Sequence, residues 1–482
     1  MTVELSPPGF TIPHPKRRVP LLGDVLGVSP RTPVQDSMRF AAELGPIFER
    51  KVLGKRFVIV SDPDVVAELS DESRFRKHLT PAVAALRGIG GDGLFTAYTE
   101  EPNWRKAHTL LAPAFTQSAM RGYHDTMVDV AAELTAHWDR SPGAPIDVSS
   151  DMTTLTLETI GRTGFSFPFG SFERTDAHPF VAAMVRALTD AQRAVTPLGL
   201  VTTRRRRARH DADVAFLAEV VDAVIRSRRG APDGTTPDDL LELMLRAERD
   251  ADSNRVDELN IRHQVITFLV AGHETTSGAL SFALYHLTRR PDLLARAQEE
   301  VDRVWGTDPT ARPAYEQVAK LRYVRRVLDE TLRLWPTAPA YAREAISDTT
   351  LRCGHRMAAG DWMLVLIPAL HRNPVWGADA DEFDPDRFLP ERMRGRPPHA
   401  YKPFGTGERA CIGRQFAIHE ATLVLGTLLQ RYDLRGDPAY RLRVQERLTM
   451  MPTGFTITAT GRAGSTPTTT VADPGGRPSR LR

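Results

Sequence analysis

The chain has 482 residues, 41% hydrophobic and 26% charged, with a formal net charge of +3. That length and composition suit a globular protein with a large core and exclude a fibrous or wholly disordered chain. The near-neutral balance argues neither for nor against a polyanionic partner, no nucleic-acid partner is expected, and the two cysteines, Cys353 and Cys411, are too few for a disulfide framework or a four-ligand zinc site.

No apolar run approaches the roughly 20 residues of a membrane span. The longest, near Val265–Gly272 and Trp362–Leu370, have the length of buried elements. The N-terminal stretch MTVELSPPGFTIPHPKRR has no apolar signal region, so a cytoplasmic protein is expected. Residues 1–40, rich in proline and turn residues, are expected to wrap the surface. GKRFVIVSD (54–62) predicts a strand ending in a turn, part of a small sheet. Helical patterns dominate after Asn103. The Arg204–Arg207 run, continued by Arg209 and His210, reads as a solvated helix face or loop rather than a patch for nucleic acid, membrane or a redox partner.

The strongest helix is predicted from Val256 to Arg290, stopped by Pro291. Its centre, VITFLVAG, is apolar on nearly every side, as in a helix buried at the middle of a large protein. A second helix is predicted over Tyr315–Trp335, before Pro336. Short β segments follow at Asp348–Cys353 and Trp362–Ile367, then a loop-rich stretch from Asn373 to Gly407, then an apolar helix over Ile412–Gln430. The tail from 462 to 482 has almost no large apolar residues and is expected to be disordered or a linker. No internal repeat is visible. The fold class is therefore mainly α with small β-sheets (α+β), in one folded unit over residues 1–461.

The chemistry lies in Phe404-Gly405-Thr406-Gly407-Glu408-Arg409-Ala410-Cys411-Ile412-Gly413. A lone cysteine in a glycine-rich turn before a helix sits where an anion is favoured, which lowers thiol pKa and suits a metal-bound thiolate. Gly405 and Gly407 permit a tight loop whose N–H groups can point at sulfur. Gly413 leaves room for a flat macrocycle, Phe404 can cover the sulfur, and Arg409 can pair with a carboxylate of that macrocycle. A buried free cysteine acting as a small hydrophobe is the bland alternative; the glycines, aromatic and arginine at these spacings argue against it.

This segment resembles the Phe-x-x-Gly-x-Arg-x-Cys-x-Gly haem signature of the cytochrome P-450 family. Ala271-Gly272-His273-Glu274-Thr275-Thr276 resembles the family's oxygen-binding helix, Glu330-Thr331-Leu332-Arg333 its Glu-x-x-Arg motif, and Phe383-Asp384-Pro385-Asp386-Arg387-Phe388 its meander. Gly91–His108, Ile266–Tyr285 and Arg333–Ala340 look like the haem domain of bacterial self-sufficient fatty-acid hydroxylases, in which a flavin reductase is fused downstream.

The resemblance implies haem b (iron protoporphyrin IX) held by Cys411 between the central helix and the cysteine helix. The enzyme implied is a monooxygenase taking O2, a hydrophobic substrate and electrons from NAD(P)H. Those electrons would arrive through a ferredoxin with its reductase or through a flavin reductase. Lys77, Trp104, His108 and Arg409 are the candidate contacts to the haem propionates, with Arg105 and Arg343 as further candidates. Thr275 and Glu274 are the candidate catalytic pair for proton delivery during oxygen activation; plain back-bonding of Thr275 to the Ala271 carbonyl is the alternative. Glu330 and Arg333, at i and i+3 on one helix, are expected to pair with Arg387 in a buried structural triad bracing the cysteine loop. Val83, Leu86, Phe95, Leu188, Ala271, Ala338 and Leu448 match the family's substrate pocket.

One departure stands out. The fatty-acid hydroxylases hold their carboxylate with an arginine and a tyrosine, where this chain has Lys55 and Ile59. A tailoring oxidase of secondary metabolism or a peroxide-driven haem-thiolate enzyme is therefore kept as an alternative, beside a non-enzymatic haem sensor or carrier. Two chance motifs carry nothing: His273-Glu274 lacks the second histidine of HExxH because Ser277 stands there, and Gly88, Gly90 and Gly93 follow a helical pattern rather than a strand.

Overall fold

A computed structural model of the chain describes residues 12–26, 28–29, 31–174, 178–194, 203–232, 236–249 and 256–462. Near the N-terminal side is a mixed five-stranded sheet. Strands Ile47–Val52 and Lys55–Val60 form a hairpin, the latter pairs in parallel with Trp362–Leu366, and Ala340–Ala345 and Phe75–His78 complete the order. The predicted strand within 54–62 is thus present.

The remainder is helical and is organised on the 32-residue helix Glu258–Arg289. Asp257 caps its start, its side chain accepting from the Asn260 N–H. Pro291 opens the next helix, Pro291–Trp305, at a position where a missing N–H costs nothing. Helix Val148–Phe165 packs along the central helix, and helices Arg322–Leu334 and Arg414–Arg431 also contact it. Among the described residues no helix is long and apolar enough to cross a membrane. The Arg204 run opens helix Arg204–Arg229, with Arg206 paired to Asp190 and Arg204, Arg205, Arg207 and Arg209 exposed.

Several expectations need correction. Residues 31–40 do more than wrap: helix Pro33–Leu44 begins there and buries Phe40. The stretch 315–335 is two helices, Tyr315–Val318 and Arg322–Leu334. The break has a tertiary cause, because Glu300 from a neighbouring helix accepts from the N–H groups of Tyr323 and Val324 and starts the second helix afresh. Only Thr349–Thr350 is strand within Asp348–Cys353. The cysteine helix starts at Arg414 instead of Ile412, since the backbone first closes the loop through Cys411 N–H to Phe404 O at 2.9 Å. Arg462, assigned to the tail, is anchored by Asp302 and by the carbonyls of Leu429 and Gln430. Residues 463–482 lie outside the described residues.

Candidate active site around Cys411

The cysteine loop is built as its glycines require. Gly405 and Gly407 have φ of +70° and +68°, the left-handed region that a side chain resists. A Cβ on Gly407 would also stand 2.1 Å from Glu72 Oε1, the atom that accepts from the Glu408 N–H. At Gly413 a Cβ would meet only Cys411 Sγ, at 4.0 Å, so the space before that residue is open. Cys411 has exposed surface although protein atoms surround it. Both observations hold if the sulfur faces an enclosed internal space instead of bulk water. Burial raises its thiol pKa, while the Gly413 N–H and Arg414 pull it down. Ala271 in the middle of the central helix and Ala338 beside the sheet are likewise exposed, small residues where a packed core would cover them.

Beside the loop stand two cations that no carboxylate pairs directly. Arg409 donates from Nη2 to the carbonyls of Ala97 (2.7 Å) and Leu94 (3.3 Å), and its guanidinium lies 4.4 Å from the Trp104 ring centre. Its Nη1 is buried and has no partner. Lys77 donates to Phe95 O and sits over the Phe95 ring. Among the described residues neither cation forms an ion pair. Burial and the nearby Arg409 hold the Lys77 ammonium well below its ordinary pKa, and burial next to Arg343 brings Arg409 down to about 10. Trp104 is buried and stacks on the half-buried His108, whose pKa burial lowers. Arg343 is already used by Leu69 O and Phe75 O, and Arg105 reaches Glu408 on the surface. Lys77, Trp104, His108 and Arg409 thus come together, and Arg343 and Arg105 have other work.

The Leu94–Ala97 turn is pinned from the opposite side by the central helix. Gln264 Oε1 accepts from Leu94 N at 3.0 Å, and Asp92 accepts from His263 and Asn260.

Thr275 donates to Ala271 O at 2.8 Å, which is the back-bonded state, and the helix stays regular there instead of widening. Glu274 is buried; its Oε2 accepts from Thr449, and Arg447 lies 3.7 Å from its Oε1. It is therefore tied to the hairpin Val444–Glu446/Met450–Pro452. Leu86 and Leu188 lie in the main apolar core and Leu448 packs against it. Val83 is half-buried and Phe95 is 37% exposed.

Glu330 and Arg333 are fully buried and paired at 2.6 and 2.8 Å, with Arg387 Nε 3.4 Å from Glu330. Arg333 also donates to the carbonyls of His371, Ala380 and Glu382. The brace reaches the cysteine loop through residues that sequence reasoning missed. His371 accepts from Lys402 N on its Nε2 and bonds Arg333 O through Nδ1, while Tyr401 donates to Asp329. Burial holds His371 at a pKa of about 3, so its ring is neutral and able to accept.

Glu420, nine positions after Cys411, was also missed. Both its oxygens are buried without a hydrogen-bond partner, and burial raises its pKa to about 8. Thr159 opposes that rise, but its hydroxyl is directed to Leu155 O. A carboxyl inside an apolar helix had no periodic signal to mark it.

The arrangement fits a haem. An enclosed space bounded by a cysteine and small residues would take a flat apolar ring. Two half-buried cations without an ion-pair partner, one with an orphaned buried N–H, would take its carboxylates. The two open surface grooves, one bordered by Phe165 and Val224 and the other by Arg246 and Glu248, contain none of these residues.

The comparisons agree with this geometry. The family model for cytochrome P450 matches residues 13–458. A bifunctional cytochrome P450/NADPH–P450 reductase of Bacillus subtilis is 47% identical over 455 residues, covering 94% of this chain and 42% of the relative. The Bacillus cereus enzyme of the same description is also 47% identical, over 92% of this chain and 42% of its own. A self-sufficient cytochrome P450 monooxygenase of Phanerodontia chrysosporium is 38% identical over 94% of this chain and 43% of its own. The chain spans less than half the length of these relatives, and it belongs to the cytochrome P450 family.

Proposed function

We propose that the chain carries the oxygenating site of a haem-thiolate monooxygenase acting on a hydrophobic substrate. The observation that carries this reading is Cys411, surrounded by protein yet with accessible surface, and with the Gly413 N–H at its side. Haem b, when bound, supplies the activation of dioxygen for insertion of one oxygen atom into a substrate C–H bond.

The chain's own residues would do the rest. Cys411 provides the thiolate, and Lys77, Arg409, Trp104 and His108 hold the propionate edge. Thr275 can hand on a proton only by turning its hydroxyl away from Ala271 O, so that bond acts as its resting position. Glu274, held by Thr449, reaches the same region only through water. Ala271, Ala338, Phe95 and Val83 would give an apolar lining in which an aliphatic or aromatic guest is favoured over water, while Leu86 and Leu188, packed in the core, and Leu448, packed against it, would stand behind that lining.

The relatives' descriptions join the P450 to an NADPH–P450 reductase, so a flavin reductase is the electron donor proposed here in preference to a ferredoxin. The substrate need not be a fatty acid. Ile59 is 1% exposed, packed with Phe40, Phe48 and Leu366, and can offer a carboxylate no hydroxyl at a channel mouth.

The test is the reduced carbon-monoxide spectrum. Wild-type protein should give the long-wavelength band of a thiolate-ligated haem, and Cys411→Ser and Cys411→His should lose it. A surviving band would end the assignment. Turnover with NADPH should also require an added reductase.

A further inference from the structure

The structure assigns a membrane-surface docking tip to the corner formed by the turns Val19–Gly23 and Val52–Lys55, with an anionic bilayer as its partner. The two turns are joined. Val19 and Gly23 form a bridge, Gly23 bridges Val52, Leu53 N–H donates to Leu22 O at 3.0 Å and Asp24 N–H to Lys51 O at 2.6 Å. A Cβ on Gly23 would lie 2.0 Å from Lys51 O, so the contact is as close as backbones allow.

The residues at the apex are wrong for ordinary turns. A two-residue hairpin loop with positive φ at both centres calls for Asn-Gly or Asp-Gly. Here Leu53 holds φ +50° before Gly54 at +78°. Leu21 holds φ +66° in the adjoining turn. Leucine in the left-handed region is unfavourable, and such outliers persist where a function keeps them. What these backbones achieve is exposure: Leu21 is 94% exposed, Leu22 44%, Leu26 53% and Leu53 38%. Of the other exposed large apolar residues among those described, Leu259 and Ile346 stand singly and Phe95 and Tyr98 share one loop. Among the described residues this corner gathers four of the eight.

Charge selects the partner. Lys16 and Arg17, just ahead of the first turn, and Lys51 and Lys55, at the two ends of the second, are exposed, and among the described residues none of these four forms an ion pair. The corner's two carboxylates are already engaged, Asp24 by Arg18 and Lys51 N, Glu49 by Arg18 and Arg56. An apolar apex with a purely cationic collar matches the interface of an anionic bilayer, where leucines enter the acyl boundary and lysines meet headgroups. A second copy of the chain would bring the same cations and be repelled. This inference does not depend on the proposed oxidation.

The haem-loaded protein is floated with vesicles of phosphatidylcholine alone or mixed with phosphatidylglycerol. Binding is expected only to the anionic vesicles and should fall as salt rises. Leu21→Ser with Leu22→Ser should weaken it about tenfold or more. Arg17→Glu and Lys51→Glu should each weaken it about fivefold or more. Leu53→Asn separates docking from folding: it should weaken binding while leaving the melting temperature unchanged or higher, because asparagine suits the turn. Three outcomes would overturn the proposal. The first is equal binding to neutral and anionic vesicles. The second is a loss of melting temperature in Leu53→Asn, which would make the leucine a packing residue. The third is a dimer that dissociates on Leu21→Ser with no vesicle binding, which would put a second copy on this face.

Discussion

Arg333→Lys is the most exacting test of how the site is supported. The guanidinium is fully buried and makes five hydrogen bonds: Nε and Nη2 to Glu330, Nη1 to His371 O and Ala380 O, and Nη2 to Glu382 O. An ammonium has three donors and no planar fork. If it keeps Glu330, two carbonyls at most retain a partner and the remainder are left buried and unpaired. Glu330 Oε1 still accepts from the Asp384 N–H, so at least one carbonyl is orphaned and the variant should lose about 1–3 kcal/mol or more. That is a measurable part of the roughly 5–15 kcal/mol that holds a typical domain together. The loss should also appear at the haem, because His371 links Arg333 O to Lys402 N beside the cysteine loop. Urea unfolding followed in parallel by far-ultraviolet dichroism and haem absorbance measures both. Arg312→Lys, at an exposed pair with Asp129, serves as the control and should change stability by less than about 1 kcal/mol. Equal midpoints for Arg333→Lys and wild type would refute the argument.

Thr275→Ala should bind substrate and accept electrons normally yet leak reducing equivalents as hydrogen peroxide. Its product yield per NADPH should fall towards the lower end of the ~10²–10⁴-fold range for a proton donor, and unchanged coupling would leave Thr275 a back-bonding residue. Glu420 has a folded pKa of about 8, above the ordinary 4.5 for a carboxyl. The folded chain therefore keeps a proton that the unfolded chain releases across that window. Stability is full below the lower value and falls by up to about 1.4 kcal/mol per pH unit as pH rises to the upper one. Glu420→Gln should match wild type in acid and exceed it at pH 8 and above, and parallel stability profiles would contradict this. Lys77→Met should leave the haem-free protein as stable or more stable, yet speed haem transfer to an acceptor protein; slower or unchanged transfer would remove Lys77 from the propionate site.

The sequence made legible those parts whose reasons are local. Gly405 and Gly407 had to be glycine because the loop needs positive φ. The central helix carried its own apolar centre and Pro291 behind it, although its sequence pattern puts the start at Val256, one residue before the Asp257 cap. Glu330 and Arg333 were one turn apart on a single helix. What stayed hidden has partners far along the chain. Glu300 interrupts a helix by capping Tyr323 and Val324 from outside, and no periodicity announces that. Glu274 looked free to relay protons, but Thr449, 175 positions away, holds it. His371 and Glu420 are buried by tertiary packing, and a lone histidine or glutamate in sequence gives no sign of which way it will be buried. Ile59 could be placed in the small core with Phe40 and Leu366 only after the sheet order was known.

The site's electrostatics make the fold incomplete by itself. Burial pushes the Cys411 thiol up, so the protein alone disfavours its thiolate; burial and Arg409 push Lys77 down, and burial and Arg343 lower Arg409 to about 10, which makes both cations less favourable than in water. Each group is held against the charge it needs in order to bind. A ring held as proposed, with cationic iron at the sulfur and two carboxylates at the lysine and arginine, would oppose all three shifts at once. The same ring relieves the unpartnered Arg409 Nη1. Such a ligand binds the folded chain and not the unfolded one, and so stabilises it in proportion to its affinity. The thiol must lose its proton while Lys77 keeps one, so ring affinity should be highest at intermediate pH and decline on both sides. It weakens in acid as the thiolate is reprotonated and the propionates are neutralised, and in alkali as Lys77 loses its charge.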